Sequence, residues 1–472
     1  MFPAAARLLA SALPPRLRVV PRHPPAPDAG RPAGRPPRGG RALRRGFAAL
    51  RHPNYRYYWS GQVVSLIGTW MQSVSQPWLV LLLGGTPVQL GTVLALQFLP
   101  ATLLAPLGGV MADRIDKRKA LMVAQAVAML EATTLFTLTV TNVVEIWHIM
   151  LLALLLGMVN AVEMPMRQAF AAELVPREDL MNAIALNSAS FNAARVVGPA
   201  MAGVTLALFG PAFNFAINAV SYLAVLFGLS RIDPSGLHRV ERPEHPASVR
   251  SSLSEGFRYA ARTPMVLWPL VLLGGMATFG MNFQTLLPLF ARGTLGMGAA
   301  GYGALFAAMG VGSLAGSLSL AFAGSQRPLL RLILGGGLMF VIFELGLGLA
   351  RVPLAAYPLV ILLGLSSMLM VNTINVTIQN AVSNELRGRV MSLYVTVFAG
   401  SAPIGGFLAG WVAQLWGPPA GFLLGASLAS VVLALVAWQL LLRGKAWTDE
   451  AVAPQAVPIT AGAADVPRAA GE

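Results

Sequence analysis

The sequence predicts an all-α integral membrane protein built as two pseudo-symmetric six-helix bundles, and three observations predict it. Only 11% of the 472 residues are charged and 56% are hydrophobic, whereas soluble domains carry about a quarter charged residues. Apolar stretches near the roughly 20 residues needed to cross a hydrocarbon core recur along most of the chain. They fall into a set of six, a polar stretch, and a second set of six.

Taken in order, residues 1–46 form an Arg/Pro-rich arm with ten arginines and Asp28 as its one acid. Such a composition cannot bury a core, so disorder is expected, with attraction to anionic headgroups as its functional reading and a leader without function as its bland one. No clean apolar core with a small-residue cleavage site follows the first arginines, so a secretory signal is not expected. The first set of spans is Tyr58–Leu83, Val88–Ala112, Ala120–Val140, Ile146–Ala169, Leu180–Phe209 and Phe213–Leu229, within an N-terminal bundle of residues 47–230. A linker of residues 231–263 follows, and Ser251–Arg262 within it reads as an amphipathic helix on the membrane surface. The second set is Met265–Phe290, Ala299–Ala323, Leu329–Ala350, Leu354–Gln379, Val390–Leu415 and Gly421–Leu442, within a bundle of residues 264–443, and residues 444–472 form a tail.

Loop charge orients the chain. Cations gather at Arg114, Lys117, Arg118 and Lys119, along the linker, at Arg327 and Arg331, at Arg387 and Arg389, and at Arg443 and Lys445. The alternate loops are nearly bare, with Arg292 and Arg351 as single exceptions. The positive-inside rule therefore places both termini and the linker in the cytoplasm. High Ala, Gly, Pro and Arg content is that of a GC-rich coding sequence, so the expected location is a bacterial inner membrane. The halves also echo one another: Ala202-Gly203 before Gly210-Pro211 is matched by Ala409-Gly410 before Gly417-Pro418. Two parallel repeats are what a rocking carrier needs, with its substrate site between them near the midplane.

The loop after the second span reads Gly109-Val-Met-Ala-Asp113-Arg114-Ile-Asp116-Lys117-Arg118-Lys119. A glycine, then Asp-Arg, then a basic cluster resembles the signature of the major facilitator superfamily, with Asp116 standing where the family has glycine. The run from Phe47 through His52-Pro-Asn-Tyr55 to Trp59 resembles the opening of that superfamily's enterobactin-exporter and macrolide-efflux branch. Pro165 to Asn187, Gly198-Pro199 and Arg387-Gly388-Arg389-Val390-Met391 continue the likeness, which covers roughly residues 47–440. The resemblance implies the twelve-helix fold, alternating access, and export of a small amphiphilic molecule, a drug or siderophore-like metabolite, in exchange for protons.

Site residues follow. Gly109, Asp113, Arg114, Arg118, Arg387 and Arg389 are expected to latch the cytoplasmic ends of the two halves. Glu163 lies four residues before Arg167, hence on one helical face; with Arg195, a mid-span cation, these are the proton-coupling candidates. Glu131 and Glu344 occupy similar places in the third and ninth spans and read as structural. Gln72, Gln76, Asn160, Asn187, Asn192, Asn282, Gln284, Asn372 and Asn375 are substrate-cavity candidates, since a few amides on apolar walls suit an amphiphilic solute. Each also has the plainer reading of a bond to a neighbouring helix.

Other classes lose ground. There is no cysteine, no phosphate-cradling glycine loop, no metal-ligand spacing among the five histidines, and no nucleophile elbow. No enzyme activity, metal or cofactor is expected beyond an ion gradient, which the resemblance implies is H+. The expected partners are the small-molecule substrate and the bilayer, with no nucleic acid, and the protein is expected to act as a monomer. An uptake carrier on the same fold and a membrane-embedded lipid-modifying enzyme stay open as rival functions, the latter needing a His/Asp cluster that is not visible.

Overall fold

Inside a bilayer no water satisfies backbone N–H and C=O groups, so long apolar runs close their hydrogen bonds within themselves as helices. The computed structural model describes residues 47–238, 249–323 and 329–450, with the side chains at 105–114, 249–253, 321–323, 329, 384–385 and 441–450 outside the description. The arm of residues 1–46 and the tail beyond 450 also lie outside the described residues.

The N-terminal half comprises α1 (Pro53–Leu82), α2 (Pro87–Arg114), α3 (Lys117–Val140), α4 (Ile146–Glu173), α5 (Leu180–Phe209) and α6 (Pro211–Ser230). The linker helix is α7 (Val249–Arg262). The C-terminal half comprises α8 (Pro264–Phe279), α9 (Phe283–Gly293), α10 (Ala299–Ala323), α11 (Leu329–Leu349), α12 (Pro353–Ala381), α13 (Asn384–Trp416) and α14 (Pro418–Glu450). Several helices run past the predicted spans where charge begins, because backbone hydrogen bonding continues after hydropathy falls.

Eleven segments among the described residues are long and apolar enough to cross a membrane, with α8 and α9 counted as one. Helix α1 is not among them although it has 30 residues. Its polar side chains explain this: Gln62, Ser65, Gln72, Ser75 and Gln76 are all buried within the bundle. With α1 included, the spans number twelve.

The predicted seventh span is not continuous. It breaks after Phe279, and Gly280, Met281 and Asn282 separate α8 from α9. The Asn282 amide donates to the carbonyls of Thr278 (2.8 Å) and Phe279 (3.2 Å), replacing the backbone donors that the break removes.

The two halves repeat in contact as well as in sequence. The pairings α2–α4, α3–α4, α3–α6, α1–α5 and α1–α6 recur as α10–α12, α11–α12, α11–α14, α8–α13 and α8–α14. Both sharp turns between the last two spans of a half use a left-handed glycine, Gly210 (φ 76°) and Gly417 (φ 82°), a conformation that strains residues with a side chain. The halves meet along two further equivalent pairings, α2–α13 and α5–α10. For reference, the end of the bundle near Arg118 and Arg389 is the basic end, and the end with Gly84, Gly210 and Gly417 is the bare end.

Candidate functional site

Small residues let the halves approach closely at the bare end. A Cβ on Gly203 of α5 would stand 2.8 Å from the Gly303 Cα of α10, and one on Gly410 of α13 would stand 2.4 Å from the Pro87 carbonyl oxygen of α2. Gly91 meets Gly406 in the same manner. Side chains complete the seal: Trp78 of α1 stacks on Tyr302 of α10 (5.4 Å between centroids, 13° between planes). Arg292 of α9 donates to the Leu81 carbonyl, and the Val88 N–H donates to the Gln414 side chain at 3.3 Å. Trp78, Tyr302, Gly303 and Gly310 were not singled out by sequence reading. The spacing Gly406-x-x-x-Gly410 is a small-residue stripe that was available as a signal.

Halfway along α5, Arg195 sits on the seam. Its guanidinium lies over the Trp70 ring of α1 at 5.9 Å, and its Nη1 donates to the Met368 sulfur of α12 at 3.5 Å. Its Nε is buried without a partner, and no acid pairs with it among the described residues. The seam is close here as well, since a Cβ on Gly310 of α10 would lie 2.7 Å from the Arg195 carbonyl oxygen.

The predicted Glu163–Arg167 pair forms within α4, at 3.4 Å, with Glu163 buried and Arg167 part-exposed. Arg195 does not join it. Of the amides predicted to line a cavity, several are engaged with neighbouring helices instead. Gln72 is buried and donates to both oxygens of Glu131 (3.0 and 3.2 Å). Asn218 of α6 donates to the Gln72 carbonyl oxygen at 2.7 Å, so α1, α3 and α6 share one polar network inside the N-terminal half. Asn187 accepts from Tyr55 at 3.1 Å, and Asn372 donates to Ser317 at 3.1 Å. Asn375 accepts from Gln379 at 2.6 Å, Asn192 donates to the Ser188 carbonyl, and Asn282 serves the break described above. Asn160 and Gln284 are half-buried. Gln76 is buried, with its amide nitrogen unpartnered.

At the basic end, Arg118 donates to the carbonyls of Leu229 (2.7 Å) and Ser230 (2.9 Å), capping α6 of its own half. Lys117 pairs with Glu173 at 2.7 Å, and Asp116 caps α3 by accepting from the Lys119 N–H. The described bonds of this cluster thus hold the N-terminal half together rather than bridging the halves. The side chains of Gly109, Asp113 and Arg114 lie outside the described residues. Arg387 is exposed, and Arg389 pairs with Glu255 of the linker helix α7.

Two sequence stretches that resemble the family meet here. His52 bonds Asp179 at 2.8 Å, the Ala49 N–H donates to Asn182 at 2.9 Å, and Tyr55 donates to the Ala183 carbonyl at 2.9 Å. These bonds tie the entry of α1 to the start of α5. Beyond α6, Asp233 accepts from the Ser235 hydroxyl and N–H, which hold its carboxyl below the usual carboxylate range.

Two parallel six-helix repeats meeting along equivalent seams define a transporter of the major facilitator type. Residues 44–466 match the family described as transmembrane secretion effector, and the chain belongs to that family. It is 27% identical over 368 residues to the staphyloferrin A transporter of Staphylococcus aureus (strain NCTC 8325 / PS 47), covering 77% of this chain and 90% of that protein. To the enterobactin exporter EntS of Escherichia coli O1:K1 / APEC it is 27% identical over 300 residues, 63% of this chain and 69% of that one. In fold it is similar to a bacterial homologue of the human lysosomal transporter Spinster, with a TM-score of 0.65 at 13% identity over 87% of this chain and 99% of the other. The protein is a multi-pass membrane transporter and not an enzyme.

Proposed function

We propose that the protein exports a small amphiphilic metabolite carrying negative charge, of siderophore-like character, across the bacterial inner membrane in exchange for protons. The basic end faces the cytoplasm in this reading. The observation that carries it is Arg195: a cation at the middle of a span, on the seam between the halves, with no acid paired to it among the described residues and an aromatic face beneath it. A mid-span charge is expensive and marks a substrate or ion pathway. A guanidinium recognises carboxylates and other planar anions through paired donors, and Trp70 and Met368 supply the apolar contacts an amphiphile needs. Similarity to transporters named for staphyloferrin A and enterobactin supports a siderophore-like cargo. The exporter named among those relatives, together with the description of the family, supports outward movement.

The test is accumulation of a catecholate siderophore, a carboxylate siderophore and fluorescent drugs in an efflux-deficient host, with and without a protonophore. Lower accumulation of a siderophore in expressing cells, abolished by the protonophore and reduced in Asp113→Asn and Arg195→Gln cells, is the expected outcome. Accumulation raised by expression would replace export with uptake.

A further inference from the structure

In each half, one acid lies near the middle of the third helix of the repeat. Glu131 stands fourteen residues past the start of α3, and Glu344 fifteen past the start of α11. Both are completely buried. Their surroundings differ in one respect. Glu131 receives two hydrogen bonds from Gln72, which Asn218 holds in place. Asn218 lies seven residues past the proline that opens α6; the residue seven past the proline that opens α14 is Gly425. The donor-holding amide of the first half is thus a glycine in the second, and both oxygens of Glu344 are buried without any hydrogen-bond partner.

The carboxyl is also set against the break in the seventh span. A Cβ on Gly280, the first residue of the break, would lie 2.9 Å from Glu344 Oε2, and one on Gly425 would lie 3.4 Å from Oε1 and 2.4 Å from the Phe279 carbonyl oxygen. Two glycines therefore let the α8–α9 break and α14 close around the acid. No cation among the described residues pairs with it. Among the described residues, α8 and α14 present no ionisable side chain, α12 has Tyr357 four residues past its start, at the end where α11 finishes, α9 has Arg292, engaged with the Leu81 carbonyl, and Arg351 just beyond α11 donates to the Gly348 and Ala350 carbonyls. On α11 itself the other ionisable group is Arg331, thirteen residues away, about 20 Å along the axis.

We propose that Glu344 is the proton-carrying site of this transporter, loaded in the state described here and emptied when the seventh span rearranges at Gly280–Asn282. The proposal rests on the proton-linked reading above and names its site. An unpaired ionised carboxylate is not tolerated in such surroundings, whereas a carboxylic acid is. A sodium ion fits poorly, since a metal cation needs several oxygen ligands and this pocket offers one carboxylate. Discontinuous helices at the midplane are where carriers of this kind bind coupling ions. Opening the break would bring water or the freed Asn282 amide to the carboxyl, and the proton would leave as the carboxylate gained donors.

Infrared pH-difference spectra of the full chain in liposomes test this without any substrate, by the carbonyl stretch of a protonated carboxyl. The wild type is expected to show a titrating carboxyl band that is lost in Glu344→Gln and kept in Glu163→Gln. If Glu344→Gln does not yield folded protein, Glu344→Asp decides: the band must shift in position. An unchanged band in Glu344→Gln, an unshifted band in Glu344→Asp, or no titrating band in the wild type would each overturn the assignment. Failure of the export reading registers elsewhere, as absence of protonophore-sensitive flux in the wild type.

Discussion

An arginine at the centre of a bilayer costs about 3 kcal/mol or more to insert, and no acid among the described residues pairs with Arg195 to offset that cost. At the residue scale this separates it from Glu163 and Arg167, which compensate each other at 3.4 Å. Removing a charged donor from a bound anion typically loses about 1.5–3 kcal/mol, so Arg195→Gln is expected to weaken substrate affinity by about tenfold or more. Arg195→Lys, which keeps the charge without the planar fork, should recover part of it; direct binding of a carboxylate siderophore to purified protein measures both. The Gln72–Glu131 pair makes a different demand. Gln72→Leu leaves a buried carboxylate short of its donor, and a loss of about 1–3 kcal/mol is expected, read as a lower melting temperature in detergent. Replacing both residues by leucine should restore part of that stability, because the unsatisfied carboxyl is then gone while the Asn218 amide still lacks its Gln72 acceptor. Equal destabilisation in the single and double variants would contradict the pairing.

At the scale of the element, hydropathy and loop charge made most spans legible, several to within a residue or two. Helices α5 and α10 coincide with their expected bounds. Hydropathy was blind to the seventh-span break, because three residues, Gly280-Met281-Asn282, are averaged away among the apolar residues on either side; an asparagine side chain standing in for backbone donors leaves no mark on a window average. The Glu163–Arg167 pair was legible because helical spacing alone brings residues four apart together. The amides were not. Whether Gln72 lines a cavity or bonds Glu131 depends on how α1 is rotated against α3 and α6, which composition does not encode. The glycines of the bare-end seal carry the element-scale prediction. A side chain at Gly303 would overlap Gly203, since even a Cβ would lie 2.3 Å from the Gly203 Cα. Gly303→Leu is therefore expected to part α5 from α10 and raise the labelling rate of a Gln76→Cys reporter from the bare-end side. The absence of native cysteine makes that reporter background-free. An unchanged labelling rate would show that α5 and α10 do not seal that end.

At the scale of the whole molecule, the two halves are equivalent in topology, in helix contacts and in the glycine turns at Gly210 and Gly417, yet unequal in how they treat their central acids. The first half satisfies Glu131 with amides; the second leaves Glu344 bare beside a broken helix. Under the proposed assignment of the proton to Glu344, the halves do different work, one a rigid support and the other the ion-responsive partner. In the proposed export cycle, the seams α2–α13 and α5–α10, where the halves meet, are the surfaces on which they rock. For the proposed proton exchange, linkage requires that whatever releases the proton also weakens the bare-end seal, so that substrate and proton change sides in one cycle. The most direct measurement is uptake of a siderophore into inverted membrane vesicles under an imposed pH gradient, in wild-type, Arg195→Gln and Glu344→Gln proteins. Wild-type uptake that collapses with a protonophore, weak uptake at equal concentration in Arg195→Gln, and loss of the gradient response in Glu344→Gln with exchange retained is the predicted result. Gradient-driven uptake of equal extent in all three would contradict the account.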